Sequence, residues 1–169
     1  MKEEEKARAE QKVKLLQFIL KIPVFSNLSM YKAKIILSLC SKLALQEGDK
    51  LCKQGDESNS MFILLQGKLG VKIKNSAPIA TIYPISSIGE MGVFTGEPRT
   101  ATVEAMEKSN LMCLKKTDLE KLIEKDNHFG ISIMRKVIQI LSERICEDNV
   151  KIREFQHYVI DKEEAKQQK

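Results

Sequence analysis

The segment 88–103 combines two glycines, a carboxylate and an arginine in an order suited to binding an anion. Gly89 and Gly92 permit a tight backbone turn and leave no side chain in the way of a bound group. We expect a short helix to begin here, so that its first backbone amides face an anion. Arg99 supplies a cationic fork that matches a phosphate, and Glu90 can accept a hydrogen bond from a sugar hydroxyl.

A lone Gly-x-x-Gly is a weak motif, because the same glycines occur in ordinary turns and Arg99 would then be a surface cation. The order found here is more specific, since Gly-Glu-Met-Gly at 89–92 precedes Pro-Arg-Thr-Ala at 98–101 and an alternating strand pattern. This order resembles the phosphate-binding cassette of the cyclic nucleotide-binding domain family, close to the form in bacterial regulators of the catabolite activator type. The resemblance extends over about 16–149.

The resemblance implies that the ligand is a 3′,5′-cyclic purine nucleotide, either cAMP or cGMP. Arg99 would neutralise the cyclic phosphate, the amides of 89–92 and Thr100 would complete its cage, and Glu90 would accept from the ribose 2′-hydroxyl. The cassette residues implied in binding are Gly89, Glu90, Met91, Gly92, Arg99, Thr100 and Ala101. The base stays open, because Thr100 can favour guanine in this family whereas bacterial relatives of the cassette mostly use adenine.

A long helix is predicted from about His128 to beyond Phe155, and its apolar residues recur at alternating steps of four and three. This spacing is typical of a heptad seam, which favours a second helix as the partner. We therefore predict a homodimer through the helix at 128–160, the alternative being a helix packed only on its own domain. The seam consists of Met134, Ile138, Leu141, Ile145, Ile152, Phe155 and Val159.

Asp148 occupies one position of this apolar seam, where an unpaired carboxylate would be costly to bury. Three interpretations stay open: Arg144 pairs with it, a purine amine pairs with it, or it only sets the register of the two helices. In the resembled family, residues at about this place on the long helix contact the base. The resemblance places Asp148 and Asn149 at those positions.

The fold class predicted from the pattern is α+β, mainly β. A charged lead-in at 1–12 precedes one domain at 13–160, and a polar tail occupies 161–169. The domain divides into N-terminal helices (13–42), about eight short strands (43–116) and C-terminal helices (117–160). Apolar residues at helical spacing in 13–22 predict a helix with one apolar face, and the continuous apolar run at 61–65 indicates a buried strand or one covered on both faces. We expect the strands to form an eight-stranded jelly-roll barrel (a double-stranded β-helix), with 84–87 as a loop and a capping box starting the next helix at Thr117.

The composition indicates a soluble cytoplasmic protein. The 169 residues carry a formal net charge of +5 from scattered lysines, which is more typical of a solvated surface than of a nucleic-acid stripe. No apolar run reaches membrane-span length, and the charged N-terminus does not resemble a secretory signal. The four cysteines are far apart in the sequence, which predicts reduced thiols, and the two histidines lie beyond the strands, which argues against a metal site among them.

The sequence lacks the residues that several classes of enzyme require. A cupin-like oxygenase needs inward histidines, and a P-loop enzyme needs Ser or Thr after Gly67-Lys68, where Leu69 stands. We expect no catalysis, and no DNA binding because the chain ends at Lys169 without a helix-turn-helix after the long helix. The sequence therefore predicts a cyclic nucleotide sensor that acts on an unknown protein effector. The alternative is a scaffold with a degenerate pocket that binds protein partners without nucleotide.

Overall fold

The computed structural model describes the backbone of 2–74 and 76–167 and the side chains of 6, 10–74, 76–143, 145–156 and 158. Within this part of the chain, each helix is either too short or too polar to cross a lipid bilayer.

The N-terminal helices form as the sequence predicts. Helix α1 (Lys2–Lys21) includes the lead-in, and Pro23 opens the 3-10 turn Pro23–Phe25 that follows it. Helix α2 (Met30–Leu39) begins after Ser29, whose Oγ accepts from the amide of Lys32 at 3.3 Å and so caps the helix. On the predicted apolar face of α1, Leu16 and Ile19 are buried, and Ile22, which follows the helix, is completely enclosed.

Eight strands follow, and they form two four-stranded antiparallel sheets rather than one continuously bonded barrel within the described ranges. The sheets have the orders β1-β8-β3-β6 and β2-β7-β4-β5. The predicted jelly-roll class is thus confirmed, with the correction that the barrel is not closed. The strands are β1 (Ser41–Leu45), β2 (Lys50–Cys52), β3 (Ser60–Gln66), β4 (Leu69–Lys72), β5 (Ala80–Ile82), β6 (Ser86–Ile88), β7 (Thr102–Ala105) and β8 (Ser109–Lys115).

Two local predictions were wrong. The expected loop at 84–87 contains the start of β6, which pairs with 62–64 of β3, so tertiary pairing overrides the weak strand preference of serine. Helix α4 (Lys116–Lys125) begins before Thr117, so the predicted capping box does not start it. Strand β8 runs directly into α4, and the amide of Lys116 donates to the carbonyl of Asn59 at 3.0 Å.

The core has two layers that meet at β3, where the continuous apolar run is covered on both faces as predicted. Met61 and Ile63 pack among the helices, whereas Phe62 and Leu64 face the second sheet. The layer between the sheets consists of Leu45, Phe62, Leu64, Leu69, Ile88, Val103, Ala105 and Leu111. This arrangement fixes Phe62 and Ile88 next to the short segment that follows β6.

Helix α5 (Asn127–Gln167) packs on the domain only through its first half. Phe129, Ile133 and Val137 are buried, whereas every described side chain beyond Leu141 is exposed. The described seam residues beyond this point, Ile145, Ile152 and Phe155, are 56–67% exposed. The side chains of Arg144 and Val159 lie outside those described.

The first turn of α5 is fixed by Asp126, which follows α4. Its Oδ1 accepts from the amide of Phe129 at 2.8 Å, and its Oδ2 lies 2.9 Å from Lys32 Nζ on α2. The hydrogen bond from Lys32, and next the bond from the Phe129 amide, hold the pKa of the Asp126 carboxyl below its usual value. Asp126 therefore joins three helices where α5 begins.

The substitution Asp126→Asn should lower the stability of the protein near neutral pH. A depressed folded-state pKa contributes stability above the ordinary carboxyl pKa of about 3.9, and this stability is lost as the pH falls through the folded value. Urea unfolding over a pH series should show the gap between wild type and variant closing in acid. The control is Glu124→Gln, which removes a carboxylate at an exposed position of α4. Equal stability of wild type and Asp126→Asn near neutral pH would contradict the role of Asp126.

Candidate anion-binding site

The predicted helical turn lies in the chain between two strands that belong to different sheets. Helix α3 (Glu90–Thr95) lies between β6 and β7, and Gly89 occupies its N-cap with φ of 80°. L side chains rarely adopt this left-handed conformation, whereas glycine does so without steric penalty. Because β6 is bonded to β3, the start of α3 lies beside the buried strand that carries Phe62.

The backbone of Arg99 is pinned by the turn that follows β2. The amide of Arg99 donates to the carbonyl of Asp56 at 2.8 Å, and the amide of Gly55 donates to the carbonyl of Arg99 at 2.8 Å. The turn itself is closed by Asp56 Oδ2, which accepts from the amide of Lys53 at 2.7 Å. The position of the arginine is therefore set by a long-range backbone contact.

The guanidinium of Arg99 is buried, with only 8% of the residue exposed. Its Nη1 donates to the carbonyl of Gly89 at 3.3 Å, its Nη2 donates to the carbonyl of Ser60, and its Cζ lies 5.6 Å from the centre of the Phe62 ring. These acceptors are uncharged, so their bonds do not neutralise the cation. Nε is also buried and has no hydrogen-bond partner among the described residues, which leaves a donor for an anion.

A second buried polar atom at this site was not predicted. Ser58 is 5% exposed, and its Oγ has no hydrogen-bond partner in the described part of the chain. A serine in a polar loop is a typical turn residue, and neither its type nor its spacing distinguishes it in the sequence. Only the packing of its loop against α3 reveals it.

A cavity of about 410 Å³ joins these groups. This volume lies within the range of roughly 300–1,000 Å³ that is usual for small-molecule sites. All seven predicted cassette residues line it, and Glu90 is 7% exposed. The cavity wall also includes residues that were not predicted, among them Cys52, Ser58, Val71, Ile82 and Val103.

The thiol of Cys52 forms part of the cavity wall. Burial raises its pKa above the ordinary value, and this effect outweighs the lowering by the nearby Arg99 cation. The thiol is therefore neutral at physiological pH and behaves as a small apolar group. Within the described residues, no group of three His, Cys, Asp or Glu side chains is placed to hold a metal ion.

Asp148 and Asn149 do not lie at this cavity. Both are exposed on the outer half of α5, and none of the described α5 side chains belongs to the cavity wall. Asp148 Oδ1 lies 3.2 Å from Lys151 Nζ, so in the single chain this carboxylate pairs with an exposed lysine that the heptad spacing did not indicate. Every described side chain of α5 beyond Leu141 is exposed, so Asp148 and Asn149 are not packed against the cassette.

The two glycines of the cassette make room for the protein's own polar side chains. A Cβ at Gly89 would lie 2.9 Å from Arg99 Cζ and still closer to Nη1, and a Cβ at Gly92 would lie 2.5 Å from Ser58 Cβ. The expectation that they leave space for a bound group is therefore refined. They allow Arg99 and Ser58 to approach α3 closely enough to share one cavity.

The substitution Gly89→Ala should destabilise the protein more than Gly48→Ala does. Both glycines have nearly the same φ, 80° and 84°, but nothing lies within 4 Å of a Cβ at Gly48. Both variants incur the cost of a left-handed alanine, whereas Gly89→Ala also displaces the Arg99 guanidinium from its carbonyl acceptors, which adds about 1–3 kcal/mol. Urea unfolding measures the difference, and equal destabilisation would show that Arg99 does not occupy this space.

Comparison with known proteins gives the family. The cyclic nucleotide-binding domain model matches 42–126, which is half of the chain. The cyclic nucleotide-gated potassium channel mll3241 of Mesorhizobium japonicum is 27% identical, over 63% of this chain and 29% of its own. The cAMP-dependent protein kinase regulatory subunit of Yarrowia lipolytica is 29% identical, over 80% of this chain and 36% of its own.

The fold is shared with a solved structure as well. The cyclic nucleotide-binding domain from Methylobacillus flagellatus KT superposes with a TM-score of 0.68 at 24% identity, covering 82% of this chain and 80% of that one. The chain spans about a third or less of the length of the two relatives above, so it corresponds to one part of each. It belongs to the cyclic nucleotide-binding domain family.

Proposed function

We propose that this chain binds a 3′,5′-cyclic purine nucleotide, cAMP or cGMP, in the cavity beside α3 and acts as a regulatory sensor. The observation that carries the proposal is the buried guanidinium of Arg99. Its Nε has no partner among the described residues, and the residue lines a ligand-sized cavity. A buried cation of this kind is stabilised by an anion that accepts from it. A cyclic phosphate is the anion that the family recognises.

Each cassette residue has a role that follows from its chemistry. Arg99 neutralises the phosphate, while Thr100 and the amides of 89–92 donate to its oxygens. Glu90, a buried acceptor at the cavity wall, takes the ribose 2′-hydroxyl, which distinguishes ribose from deoxyribose. Met91 and Ala101 line the cavity around these contacts.

The choice of base is left to experiment. Thr100 and Asp148 would suit the adjacent donors of guanine, whereas the bacterial cassette form favours adenine. Cys52, Val71, Ile82 and Val103 give the cavity an apolar wall, which accommodates either purine. Titration with cAMP and with cGMP shows which of the two bases the cavity prefers.

The response is proposed to involve α5. The described side chains of its outer half are exposed and none of them lines the cavity, so contact of Asp148 and Asn149 with a bound base would require α5 to change position. A ligand that contacts both the cassette and α5 binds best when they are close, and it therefore shifts the population of helix positions. The signal would pass to a protein effector, in the cytoplasm where free thiols persist.

A parallel homodimer through the seam of α5 is part of the proposal. Ile138, Ile145, Ile152 and Phe155 are 56–67% exposed and share one face of the helix, so a second copy would remove a continuous apolar stripe from water.

We propose that the chain binds its ligand without catalysing a reaction. The competing function is a protein-binding scaffold with an empty cavity, which the same titrations would reveal.

Replacing Arg99 by alanine should weaken nucleotide binding by about 2–5 kcal/mol, because the bound phosphate is left without its buried cation. Arg99→Lys should restore only part of the loss, since an ammonium lacks the planar fork and the Nε donor. Isothermal titration calorimetry with cAMP and with cGMP measures both variants.

The matched control is Arg135→Ala, which removes an exposed arginine on α5 and should bind like wild type. Wild type that binds neither nucleotide would reject the proposed function. Unchanged affinity of Arg99→Ala would reject the role of Arg99.

Placing a charge in the seam should dissociate the dimer. Ile145→Asp and Ile152→Asp put a carboxylate on the shared apolar face, where burial of an unpaired charge is costly. Sedimentation equilibrium at micromolar concentrations should show wild type and Val150→Asp as dimers, since Val150 is exposed but lies off the seam. Monomeric wild type would contradict the dimer.

A further inference from the structure

The hydroxyl of Ser58 is buried beside the cavity without a use in the fold. The residue is 5% exposed, its Oγ has no hydrogen-bond partner among the described residues, and it belongs to the same cavity wall as Arg99. Nearly all buried side-chain polar atoms in folded proteins have a partner, because an unsatisfied one loses its hydration without compensation. Two such atoms on residues that line one cavity point to a common acceptor.

The position of Ser58 is set by close packing. A Cβ at Gly92 would lie 2.5 Å from Ser58 Cβ, so the serine side chain fills the space that this glycine leaves beside α3. The turn that binds the backbone of Arg99 through Asp56 lies immediately before Ser58 in the chain. One loop therefore positions both unpartnered atoms relative to α3.

The chemistry of the two atoms restricts what they bind together. Arg99 Nε can only donate, and a serine hydroxyl can donate as well. A group with two adjacent acceptor oxygens and a negative charge satisfies both, and the two exocyclic oxygens of a cyclic phosphodiester have that arrangement. Hydrogen bonds to an ionised acceptor are also stronger than those to a neutral one.

We propose that Ser58 Oγ donates a hydrogen bond to one exocyclic phosphate oxygen of the bound nucleotide, while Arg99 Nε donates to the other. This inference rests on the proposed function and adds Ser58 to the phosphate site. The orphaned hydroxyl is then satisfied only in the complex. Removing it should weaken binding without destabilising the free protein.

The first test is the variant Ser58→Ala. The matched control is Ser38→Ala, which removes a hydroxyl at an exposed position of α2. Calorimetry should show roughly 10- to 100-fold weaker binding for Ser58→Ala, as for loss of a hydrogen bond to a charged group, and no change for Ser38→Ala. Thermal unfolding of the ligand-free Ser58→Ala variant should occur at the wild-type temperature or above it, because an unsatisfied buried hydroxyl is gone. A purely structural role for Ser58 predicts the reverse pattern.

The second test uses cyclic nucleotide phosphorothioates, in which sulfur replaces one or the other exocyclic oxygen. Sulfur accepts hydrogen bonds poorly, so Ser58→Ala should weaken binding of one diastereomer and leave the affinity of the other nearly unchanged. Equal weakening of both diastereomers, or wild-type affinity of Ser58→Ala for the parent nucleotide, would overturn the inference while the proposed function stands. Failure of wild type to bind either nucleotide would instead reject the proposed function and the inference with it.

Discussion

The burial of the Arg99 guanidinium is the constraint on which the site depends. The side chain is enclosed between the carbonyls of Gly89 and Ser60 and the ring of Phe62, and its Nε has no partner among the described residues. Neutral carbonyls and an aromatic face orient a cation without removing its charge. The folded domain therefore maintains an electropositive group that an anion would stabilise.

Much of the surrounding structure serves to keep that guanidinium in place. The turn at Lys53–Asp56 fixes the backbone of Arg99 through two hydrogen bonds, and β6 holds the start of α3 against β3. Gly89 leaves the space that the guanidinium occupies, and Gly92 does the same for Ser58. The second glycine is thus explained by a residue that lies outside the cassette.

The sequence predicts the parts of the site whose chemistry is local. The order of Gly89, Glu90, Gly92 and Arg99 places them correctly at one cavity, and the apolar run of β3 is correctly predicted as covered on both faces. Contacts between distant segments were not predictable, because the type of a residue does not indicate which distant residue it will contact. Ser58 is an ordinary turn residue by type, and Ser86–Ile88 becomes a strand only because β3 provides an edge.

The long helix is predicted less completely than the cassette. Its heptad spacing correctly indicates an apolar face, but spacing alone does not say what covers that face. In the single chain Asp148 is exposed beside Lys151, and the helix that would cover this face in a dimer stays a prediction. The most direct test of the central claim is a crystal structure of the protein with cAMP or cGMP. The account predicts a phosphate oxygen at hydrogen-bond distance from Nε of a still-buried Arg99, and a nucleotide bound elsewhere, with only water beside Nε, would contradict it.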